Sequence, residues 1–353
     1  MFANKLINWY AENGRQLPWR GIDNPYYIWL SEIILQQTRI EQGRSYYERF
    51  ITSYPTVKEL AKASEEQVLK SWQGLGYYSR ARNLHAAARH IAFDLGGVFP
   101  NTYEGILSLK GVGRYTAAAI ASFAFGLPYP VIDGNVYRVI ARMYRIHTPV
   151  GTNQAYKEFE QLLQQLIDRD QPGLFNQAMM DFGALQCKPV GSDCSSCIFR
   201  QECLAYRGGV VAELPVRPRP VKIKERYFYY FDIRWSSPQP SIVVQQRGAG
   251  DIWQGLYELP LYETEVPIAD SEPELLDRLR AVLYGWTGQE PLAMEVGPCL
   301  IHQLTHRTIK ARFVQVIFDG KPAKMQEKMR IVGVSELKSL PISRLIDRYL
   351  SEL

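Results

Sequence analysis

The sequence predicts two domains of different class, an all-α domain followed by a smaller α+β domain. Apolar residues recur at helical spacing through residues 1 to about 204, whereas the region 227–353 carries short runs typical of β-strands. Between them, the basic segment 208–226 contains three prolines, which is typical of an extended linker. The chain has 353 residues, enough for each domain to bury its own core. The predicted boundaries are therefore 1–207, 208–226 and 227–353.

Glycine and proline residues divide these domains into elements. Helices are predicted over residues 27–35, 68–75, 81–91, 117–125, 136–144 and 159–167. In the second domain, strands are predicted over 227–233, 241–246 and 312–318, and a helix over 273–284.

Composition excludes several classes of protein. Hydrophobic residues make up 46% and charged residues 22% of the chain, which is ordinary for a soluble globular protein. No apolar run approaches about 20 residues, and the N-terminus lacks the pattern of a signal peptide. The net charge of +5 is compatible with a polyanionic partner. We expect a cytoplasmic protein, associated with the nucleoid if bacterial, and a monomer because no coiled-coil repeat occurs.

The stretch 107–135 combines a helix end, the tight turn around Gly111 and Gly113, a second helix, and then Asp133. Glycines two residues apart allow positive φ angles and close approach of the backbone to a partner. The free N–H groups of the following helix suit a phosphate. An ordinary tight turn between two core helices would give the same local pattern.

Four of the five cysteines lie close together, spaced C-x6-C-x2-C-x5-C. Structural zinc sites usually pair two short C-x2-4-C units. Here a single C-x2-C occurs and no histidine is nearby, so a [4Fe–4S] cluster is favoured over zinc, and unligated core cysteines are the third reading. Such use of cysteine indicates a reducing compartment, and Cys299 is expected to be a buried thiol. The candidate ligands are Cys187, Cys194, Cys197 and Cys203.

The hairpin GVGRYT, the downstream Asp133 and the cysteine spacing together resemble the endonuclease III superfamily of helix-hairpin-helix DNA glycosylases, and most closely its adenine DNA glycosylase (MutY) branch. The matching motifs are LPWR (17–20), WLSEIILQQT (29–38), GLGYY (74–78), GVGRYT (111–116), VIDGNV (131–136) and FNQ (175–177). The resemblance implies a helix-hairpin-helix glycosylase domain with a [4Fe–4S] loop and then a Nudix-like domain. It implies removal of adenine mispaired with 8-oxoguanine or guanine in double-stranded DNA.

Two carboxylates fit the chemistry of N-glycosidic cleavage, which needs a proton for the leaving base and a negative charge against the cationic sugar. Glu32 lies in the apolar helical run WLSEIILQQT, where desolvation should raise its pKa and keep it protonated. Asp133 follows a proline-rich turn beside Gly134, where it should stay ionised. A surface salt bridge for Glu32 and a helix cap for Asp133 are the structural alternatives.

The resemblance assigns further roles in the same site. It implies that Glu32 protonates adenine at N7 and then assists water, while Asp133 stabilises the sugar cation and Asn135 and Tyr115 position these groups. Bifunctional members of the superfamily carry lysine where this chain has Tyr115. A phenol cannot form a Schiff base, so a monofunctional glycosylase is predicted.

Contacts with DNA are also implied by the resemblance. Gln37 and Tyr77 are the candidates for filling the base stack, although Tyr77 could equally be a core residue. The segments that enter the duplex contain Gln36, Gln37, Thr38 and Tyr77. The residues of the adenine pocket are Leu17, Trp19, Arg20 and Gln177. The candidate phosphate contacts are Lys110, Gly111, Gly113, Arg114, Lys188 and Arg200. No catalytic role is expected for the cluster, which would shape a DNA-binding loop.

In the second domain, the stretch 252–260 resembles the strand-turn segment of Nudix domains. The helix 273–288 lacks the glutamates that would bind Mg²⁺ around a diphosphate, so hydrolysis is not expected. The family reads 8-oxoguanine with an aromatic-Ser-His loop, matched here by Leu304, Thr305 and His306. Leu304 replaces the aromatic residue, so ring stacking is not expected at that position. Thr305 keeps the hydroxyl and His306 keeps the imidazole.

Two other functions remain open from the sequence. An endonuclease III-like pyrimidine glycosylase with lyase activity is disfavoured by Tyr115 and by the second domain. A non-catalytic DNA-binding repair scaffold is disfavoured by the presence of both Glu32 and Asp133.

Overall fold

The computed structural model describes residues 2–218, 223–237, 241–268 and 271–352. The chain divides into two compact units, Met1–Ala63 with Asn83–Arg219, and Ser64–Arg82 with Pro220–Leu353. All strands in the described ranges fall after residue 223, and the described residues before it form helices joined by turns and loops. An all-α region followed by an α+β region confirms the predicted fold class. The boundaries at residues 207 and 227 stay a prediction.

Residues 2–218 form a series of short helices. They are α1 (Phe2–Asn13), α2 (Pro25–Leu35), α3 (Ile40–Ser53), α4 (Val57–Lys62), α5 (Glu65–Trp72), α6 (Ser79–Arg89), α7 (Tyr103–Leu107), α8 (Arg114–Phe125), α9 (Gly134–Tyr144), α10 (Asn153–Leu166), α11 (Pro172–Asp181) and α12 (Leu204–Arg207). Helical turns of the π type, His90–Asp94 and Phe182–Gln186, extend α6 and α11, and Val211–Glu213 is a short 3-10 helix.

Local sequence fixes the helix ends that carry the candidate site. Asn24 accepts a hydrogen bond from the Tyr26 N–H and precedes a proline at the first position of α2. Asp133 caps α9 by accepting from the Val136 N–H at 2.7 Å. The structural alternative raised for Asp133 is therefore present, and a cap that holds a carboxylate in place is compatible with catalysis.

The helical unit has an interior made by several helices together. One core cluster combines apolar side chains of α1, α9, α10 and α11 with Phe199 and Leu214. The small residues of α8 between Ala117 and Ala121 are fully or almost fully buried, and α8 packs against α2. Because alanine leaves little side chain between the two helices, α2 and its Glu32 come close to the start of α8.

The turn between α7 and α8 depends on Gly111. Its φ is +80°, and a Cβ placed there would meet the Cβ of Asn83 at 2.6 Å. Gly113 differs, since its φ of −96° is open to any residue and a Cβ placed there would have no atom within 4 Å. Of the two glycines whose spacing allows a positive φ, only Gly111 therefore adopts one, and Gly113 leaves open space at the N-terminus of α8.

Replacing Gly111 with alanine is expected to destabilise the protein by about 2–3 kcal/mol, because the substitution adds a steric clash to a left-handed backbone. The matched control is Gly126→Ala at the end of α8, where φ is +62° and nothing lies within 4 Å of the added carbon. That control should lose only about 1 kcal/mol. Chemical denaturation of both variants measures the difference, and equal losses would show that the contact with Asn83 does not matter.

In its described residues, the second unit contains two β-sheets and three further helices. The strands are β1 (Lys224–Trp235), β2 (Ser241–Gln246), β3 (Tyr257–Glu258), β4 (Leu261–Thr264), β5 (Ala293–Val296), β6 (Leu300–Gln303), β7 (Arg307–Phe318) and β8 (Met329–Gly333). The helices are α13 (Glu272–Thr287), α14 (Val334–Leu337) and α15 (Arg344–Ser351).

The larger sheet is built around a parallel pair. β1 and β7 run parallel from Lys224 opposite Arg307 to Trp235 opposite Phe318, while β4, β5 and β6 pair antiparallel with them. Alternate residues of β1 enter two separate cores, one shared with α15 and one shared with α13. Burial on both faces explains why residues 227–231 of β1 are a continuous run of aromatic residues rather than an alternating pattern.

Two features of domain organisation are not visible in the sequence. The segment Ser64–Arg82, which contains α5, belongs to the second unit: Lys70 Nζ donates to the Leu340 carbonyl at 3.0 Å, and Arg82 donates to the Gln254 carbonyl at 2.8 Å. Part of the predicted linker belongs to the first unit, since Leu214 is buried in the helical core and the Val150 N–H donates to the Val216 carbonyl. These contacts join residues far apart in the chain.

Among the residues that the structure describes, no helix combines the length and the apolar character needed to cross a membrane.

Candidate active site

Glu32 lies in α2 with 8% of its surface exposed, surrounded by buried apolar residues of the same helix. The pKa of Glu32 is raised from 4.5 to about 7, mainly by burial. The hydrogen bond with Tyr115 and the charge of Arg20 lower this pKa, and the charge of Asp133 raises it. An acid with this pKa is partly protonated at neutral pH and can give a proton to a leaving group. The surface salt bridge considered for Glu32 is wrong, because the residue is buried.

Asp133 presents both carboxylate oxygens to hydrogen-bond donors. Oδ1 accepts from the Val136 N–H at 2.7 Å, and Oδ2 accepts from the Asn135 side-chain amide at 2.7 Å. Burial raises the pKa of Asp133 above its ordinary value, and these hydrogen bonds and the nearby Arg138 offset only part of that rise. The donors favour the anion. Of the two coupled carboxyls, Glu32 is thus the better place for a proton.

Asn135 is held in turn by Arg138. Arg138 Nη2 donates to Asn135 Oδ1 at 2.8 Å and to the Gly183 carbonyl at 2.7 Å, and its Nε donates to the Cys187 carbonyl at 2.7 Å. With its oxygen engaged by Arg138, the Asn135 amide must point its N–H group at Asp133. The hydrogen bonds run without a break from the first cysteine to the Asp133 carboxylate.

Tyr115 is positioned between the elements that carry these acids. It lies in the first turn of α8, shares a hydrogen bond with Glu32, and its hydroxyl is 3.7 Å from Met180 Sδ. Burial, followed by the charges of Glu32 and Asp133, raises its pKa well above 10. The phenol therefore stays protonated and can donate to a carboxylate.

The four residues of the predicted adenine pocket come from two parts of the helical unit. Trp19 is buried and packs edge-on against Tyr47, with ring centroids 5.4 Å apart. Arg20 lies over the ring of Tyr10, whose hydroxyl donates to Gln177 Oε1 at 3.1 Å. Leu17, Trp19 and Arg20 lie on the loop between α1 and α2, and Gln177 lies on α11. Tyr10 thus connects Arg20 with Gln177.

The four clustered thiols line one cavity. Its wall contains Cys187, Cys194, Cys197 and Cys203 together with Phe182 and Phe199. Arg142 reaches this wall, where Nη1 lies 3.4 Å from Cys187 Sγ and donates to the Lys188 carbonyl at 2.8 Å. Within the described ranges, no three His, Cys, Asp or Glu side chains are arranged to hold a metal ion. Cys299 is exposed, so the expectation of a buried thiol there is wrong.

The segment after α2 contains one residue with unusual backbone geometry. Gln37 is exposed and has a φ of +56°, in the left-handed region that few residues other than glycine adopt. Gln36 is tied down by a hydrogen bond from its Nε2 to Thr116 Oγ1 at 3.1 Å, and Thr38 donates to the Gln36 carbonyl. Strain of this kind persists where the surrounding structure holds it, and it concentrates at functional sites.

Tyr77 shows the same geometry in the second unit. Its φ is +49° and its surface is 45% exposed, so core packing does not describe it. Its hydroxyl forms a hydrogen bond with Thr305, from the loop between β6 and β7. Two candidates that are 228 positions apart in the chain are thus brought into contact.

The other residues of that loop differ in exposure. Leu304 packs against the core of the second unit, and its N–H donates to the Arg307 carbonyl at 2.8 Å. Thr305 and His306 are exposed at the tip of the turn. The candidate phosphate contacts Lys110, Gly111 and Gly113 are exposed on the α7–α8 turn, where the backbone N–H groups starting α8 lie.

Sequence reasoning missed the buried charged residues behind the site. Asp181 is completely buried, and Arg138 and Arg142 are 8% and 3% exposed. A signal existed for the arginines, since they lie four residues apart on the apolar face of α9, where a cation needs a partner. Tyr10 and Asp181 carried no such signal, because their partners lie far away in the chain.

Two family signatures match the chain. One, described as HhH-GPD superfamily base excision DNA repair protein, matches residues 30–169, and one described as NUDIX domain matches residues 235–352. The adenine DNA glycosylase of Mus musculus is 42% identical over 229 residues, covering 62% of this chain and 44% of that protein. The adenine DNA glycosylase of Buchnera aphidicola subsp. Acyrthosiphon pisum is 31% identical over 266 residues, covering 75% of each.

Among solved structures, a thermostable thymine-DNA glycosylase is 30% identical with a TM-score of 0.54, covering 59% of this chain and 95% of that one. The chain thus spans less than half of the mouse relative but three quarters of the bacterial one. The two signatures, in this order and with these identities, show that the chain belongs to the adenine DNA glycosylase family, whose members hydrolyse N-glycosidic bonds in base excision DNA repair.

Proposed function

We propose that this protein removes adenine mispaired with 8-oxoguanine or guanine in double-stranded DNA, by hydrolysis and without cutting the strand. The observation that carries the proposal is the pair of carboxyls with different environments. Glu32 is desolvated, with a pKa of about 7, and Asp133 is surrounded by donors that favour its anion. Cleavage of an N-glycosidic bond needs both a proton donor for the leaving base and an anion beside the sugar cation.

The first step is protonation of the base. Glu32 donates a proton to a ring nitrogen of the flipped adenine, which becomes a better leaving group as the N-glycosidic bond breaks. Tyr115 holds the Glu32 carboxyl through their hydrogen bond. Arg20 and Gln177, linked through Tyr10, lie on the elements that would contact the adenine edge.

The second step concerns the sugar. Asp133, as the anion, stabilises the positive charge that develops on the deoxyribose. Glu32, now deprotonated, accepts a proton from the attacking water and returns to its starting state. Asn135 keeps an N–H group directed at Asp133, which holds the carboxylate in one orientation during both steps.

Tyr115 supports a monofunctional reaction. Its phenol occupies the first turn of α8, and it has no amine that could form an imine with the opened sugar. Strand cleavage through a Schiff base is therefore not expected.

A [4Fe–4S] cluster fits the donor set of the cysteine cavity. Four cysteine side chains line it together with Asp193, whose carboxylate accepts hydrogen bonds from Ser195 and Ser196, and Arg142 offers a hydrogen bond to Cys187 Sγ. The cluster would hold residues 187–203 together as a loop and supplies no step of the reaction. Lys188 and Arg200 of this loop are candidate phosphate contacts.

In the second unit, Thr305 and His306 would recognise 8-oxoguanine by hydrogen bonds. Leu304 packs against the core and offers no ring for stacking. The exposed ring of Tyr77, joined to Thr305 by a hydrogen bond, lies where it could supply a stacking surface instead.

The proposal is tested with duplexes that carry adenine opposite 8-oxoguanine, adenine opposite guanine, or thymine glycol. Adenine release with strand breaks only after alkali is the expected result. Spontaneous nicking at thymine glycol would support an endonuclease III-like enzyme instead, and no product from any duplex would support a non-catalytic scaffold.

The metal is tested on the purified protein. A brown colour with absorbance near about 400 nm, and about four iron atoms per chain, is expected for a thiolate-bound cluster. A colourless protein that contains one zinc ion per chain would contradict the assignment.

A further inference from the structure

Asp181 is a buried carboxylate that the proposed reaction does not yet use. It ends α11, directly before the π-helical turn Phe182–Gln186, and none of its surface is exposed. A buried carboxylate must be compensated by charge and hydrogen bonds, or it destabilises the fold. The hydrogen-bond partners of Asp181 therefore indicate its role.

Both oxygens of Asp181 are occupied by the loop between α1 and α2. Oδ2 accepts from the Arg15 backbone N–H at 2.9 Å and from Arg20 Nη1 at 2.7 Å, while Oδ1 accepts from Arg15 Nε at 2.9 Å and from Arg20 Nη2 at 2.7 Å. The planar guanidinium of Arg20 is thus gripped by two parallel hydrogen bonds, the geometry that fixes an arginine most firmly.

The same contacts shape the loop itself. Arg20 Nη1 also donates to the Arg15 carbonyl at 2.8 Å, and the Arg20 N–H donates to the Leu17 carbonyl at 3.0 Å. Leu17 and Trp19 lie within this closed stretch. On the other side, Gln177 lies one helical turn before Asp181 on α11, so both residues are presented on one face of that helix.

We propose that Asp181 is the positioning residue of the adenine pocket: it fixes the Arg20 guanidinium and offsets its positive charge beside Glu32. The inference rests on the proposed function and deepens it, because it names the group that sets both the geometry and the charge of the base-binding side. Arg15 is the second partner, and its side chain is more exposed than that of Arg20.

The charges around Glu32 and Asp181 link the ionisation of Asp181 to the pKa of Glu32. Glu32 is faced by Tyr115, Asp133 and Arg20, and the charge of Arg20 lowers its pKa. Burial alone would raise the pKa of Asp181, but hydrogen bonds from Arg20 and Arg15 lower it below its ordinary value, so Asp181 stays an anion. A neutral residue at position 181 would leave the cation of Arg20 less opposed and would favour the ionised form of Glu32.

The test is Asp181→Asn in the full chain, measured by single-turnover release of adenine from duplex DNA across pH 5 to 9. We expect the rate at pH 7 to fall about 10-fold and the basic limb of the pH profile to move about 0.5–1 pH unit lower. The dissociation constant for the duplex should change less than about threefold, since phosphate contacts dominate affinity. An unchanged rate together with an unchanged limb would overturn the inference.

Two further variants separate positioning from stability. Arg15→Gln removes a partner of Asp181 but keeps its pair with Arg20, so it should lower the melting temperature and leave the basic limb in place. Asp181→Glu keeps the charge but displaces the guanidinium, so it should lower the rate without moving the limb. If Asp181→Asn does not fold, Asp181→Glu is the variant that tests the positioning role. A wild-type rate in Asp181→Glu would then overturn the inference.

Failure of the inference and failure of the proposed function can be told apart in one experiment. A wild-type protein that releases adenine while Asp181→Asn equals it in rate and pH profile overturns the inference alone. A wild-type protein that releases no adenine from any duplex overturns the proposed function. Asp170→Asn, at an exposed position in the turn between α10 and α11, is the matched control and should behave as wild type.

Discussion

Replacing Glu32 with glutamine is expected to lower the single-turnover rate of adenine release by about 10²- to 10⁴-fold, the usual contribution of a general acid. Glutamine keeps the size and one oxygen but cannot supply a proton to the leaving base. Affinity for the duplex should stay within about threefold, because Glu32 is buried and phosphate contacts dominate affinity for DNA. Adenine release at saturating enzyme and a filter-binding or fluorescence titration measure the two effects separately.

The control for this variant is Glu158→Gln, the same chemical change at an exposed position of α10. It should retain the wild-type rate. A Glu32→Gln protein that keeps more than about a tenth of the wild-type rate would exclude Glu32 as the proton donor, and Tyr115 would become the next group to test.

The pH dependence follows from the direction of the Glu32 shift. In the proposed mechanism Glu32 must be protonated to act, so the rate should fall as pH rises through about 7. On the acid side, the rate should fall when Asp133 takes up a proton, since the neutral acid no longer stabilises the sugar cation. A bell-shaped profile that loses its basic limb in Glu32→Gln is the expected result.

The same shift predicts an effect of Glu32→Gln on stability that is opposite in sign to its effect on rate. The folded-state pKa of Glu32 is about 7, above its ordinary value of 4.5, so the folded protein binds the extra proton between these values. Wild-type stability should therefore fall as pH rises from about 4.5 to 7, by up to about 3 kcal/mol. At pH 8, Glu32→Gln should be more stable than wild type in urea denaturation, while at pH 5 the two should be similar.

Local patterns are sufficient to predict the elements that carry the site. The helical run around Glu32 is apolar on all sides and predicts a desolvated carboxyl, and α2 does bury it. The turn pattern predicts a positive φ for Gly111, and the residue has one. Both properties depend on neighbours within a few positions, which is the range that sequence patterns record.

Contacts between distant segments are not predictable in this way. Asp181 carries no periodic or capping signal, and its meaning appears only when the loop between α1 and α2 folds over α11. The membership of Ser64–Arg82 in the second unit is of the same kind, since the contact of Lys70 with the Leu340 carbonyl joins positions 270 apart. A single sequence contains the residues for such contacts but not their pairing.

Replacing Arg138 with glutamine is expected to damage both the fold and the candidate site. The change leaves the Gly183 and Cys187 carbonyls and Asn135 Oδ1 without their charged donor in a buried setting. We expect a loss of about 3 kcal/mol, which lowers the melting temperature of a unit of this size by about 6–12 °C. Differential scanning calorimetry measures this loss.

The effect on rate has a separate cause. Without Arg138, the Asn135 amide can turn its oxygen toward Asp133, which replaces a hydrogen bond with a repulsive contact and raises the pKa of Asp133. Adenine release should fall about 10-fold or more at about 20 °C, where the variant is still folded, and the acid limb of the pH profile should move to higher pH.

Arg142→Gln is the control that separates the two effects. Arg142 lies one turn further along α9 and donates to the Lys188 and Leu214 carbonyls and to Ser192, whereas Asn135 Oδ1 accepts from Arg138. It should lower the melting temperature by a similar amount and loosen the cysteine loop, yet leave the acid limb where it is. If Arg138→Gln and Arg142→Gln shift the acid limb equally, the cysteine loop as a whole orients Asp133. That outcome would contradict the role given to the hydrogen bonds from Arg138 through Asn135 to Asp133.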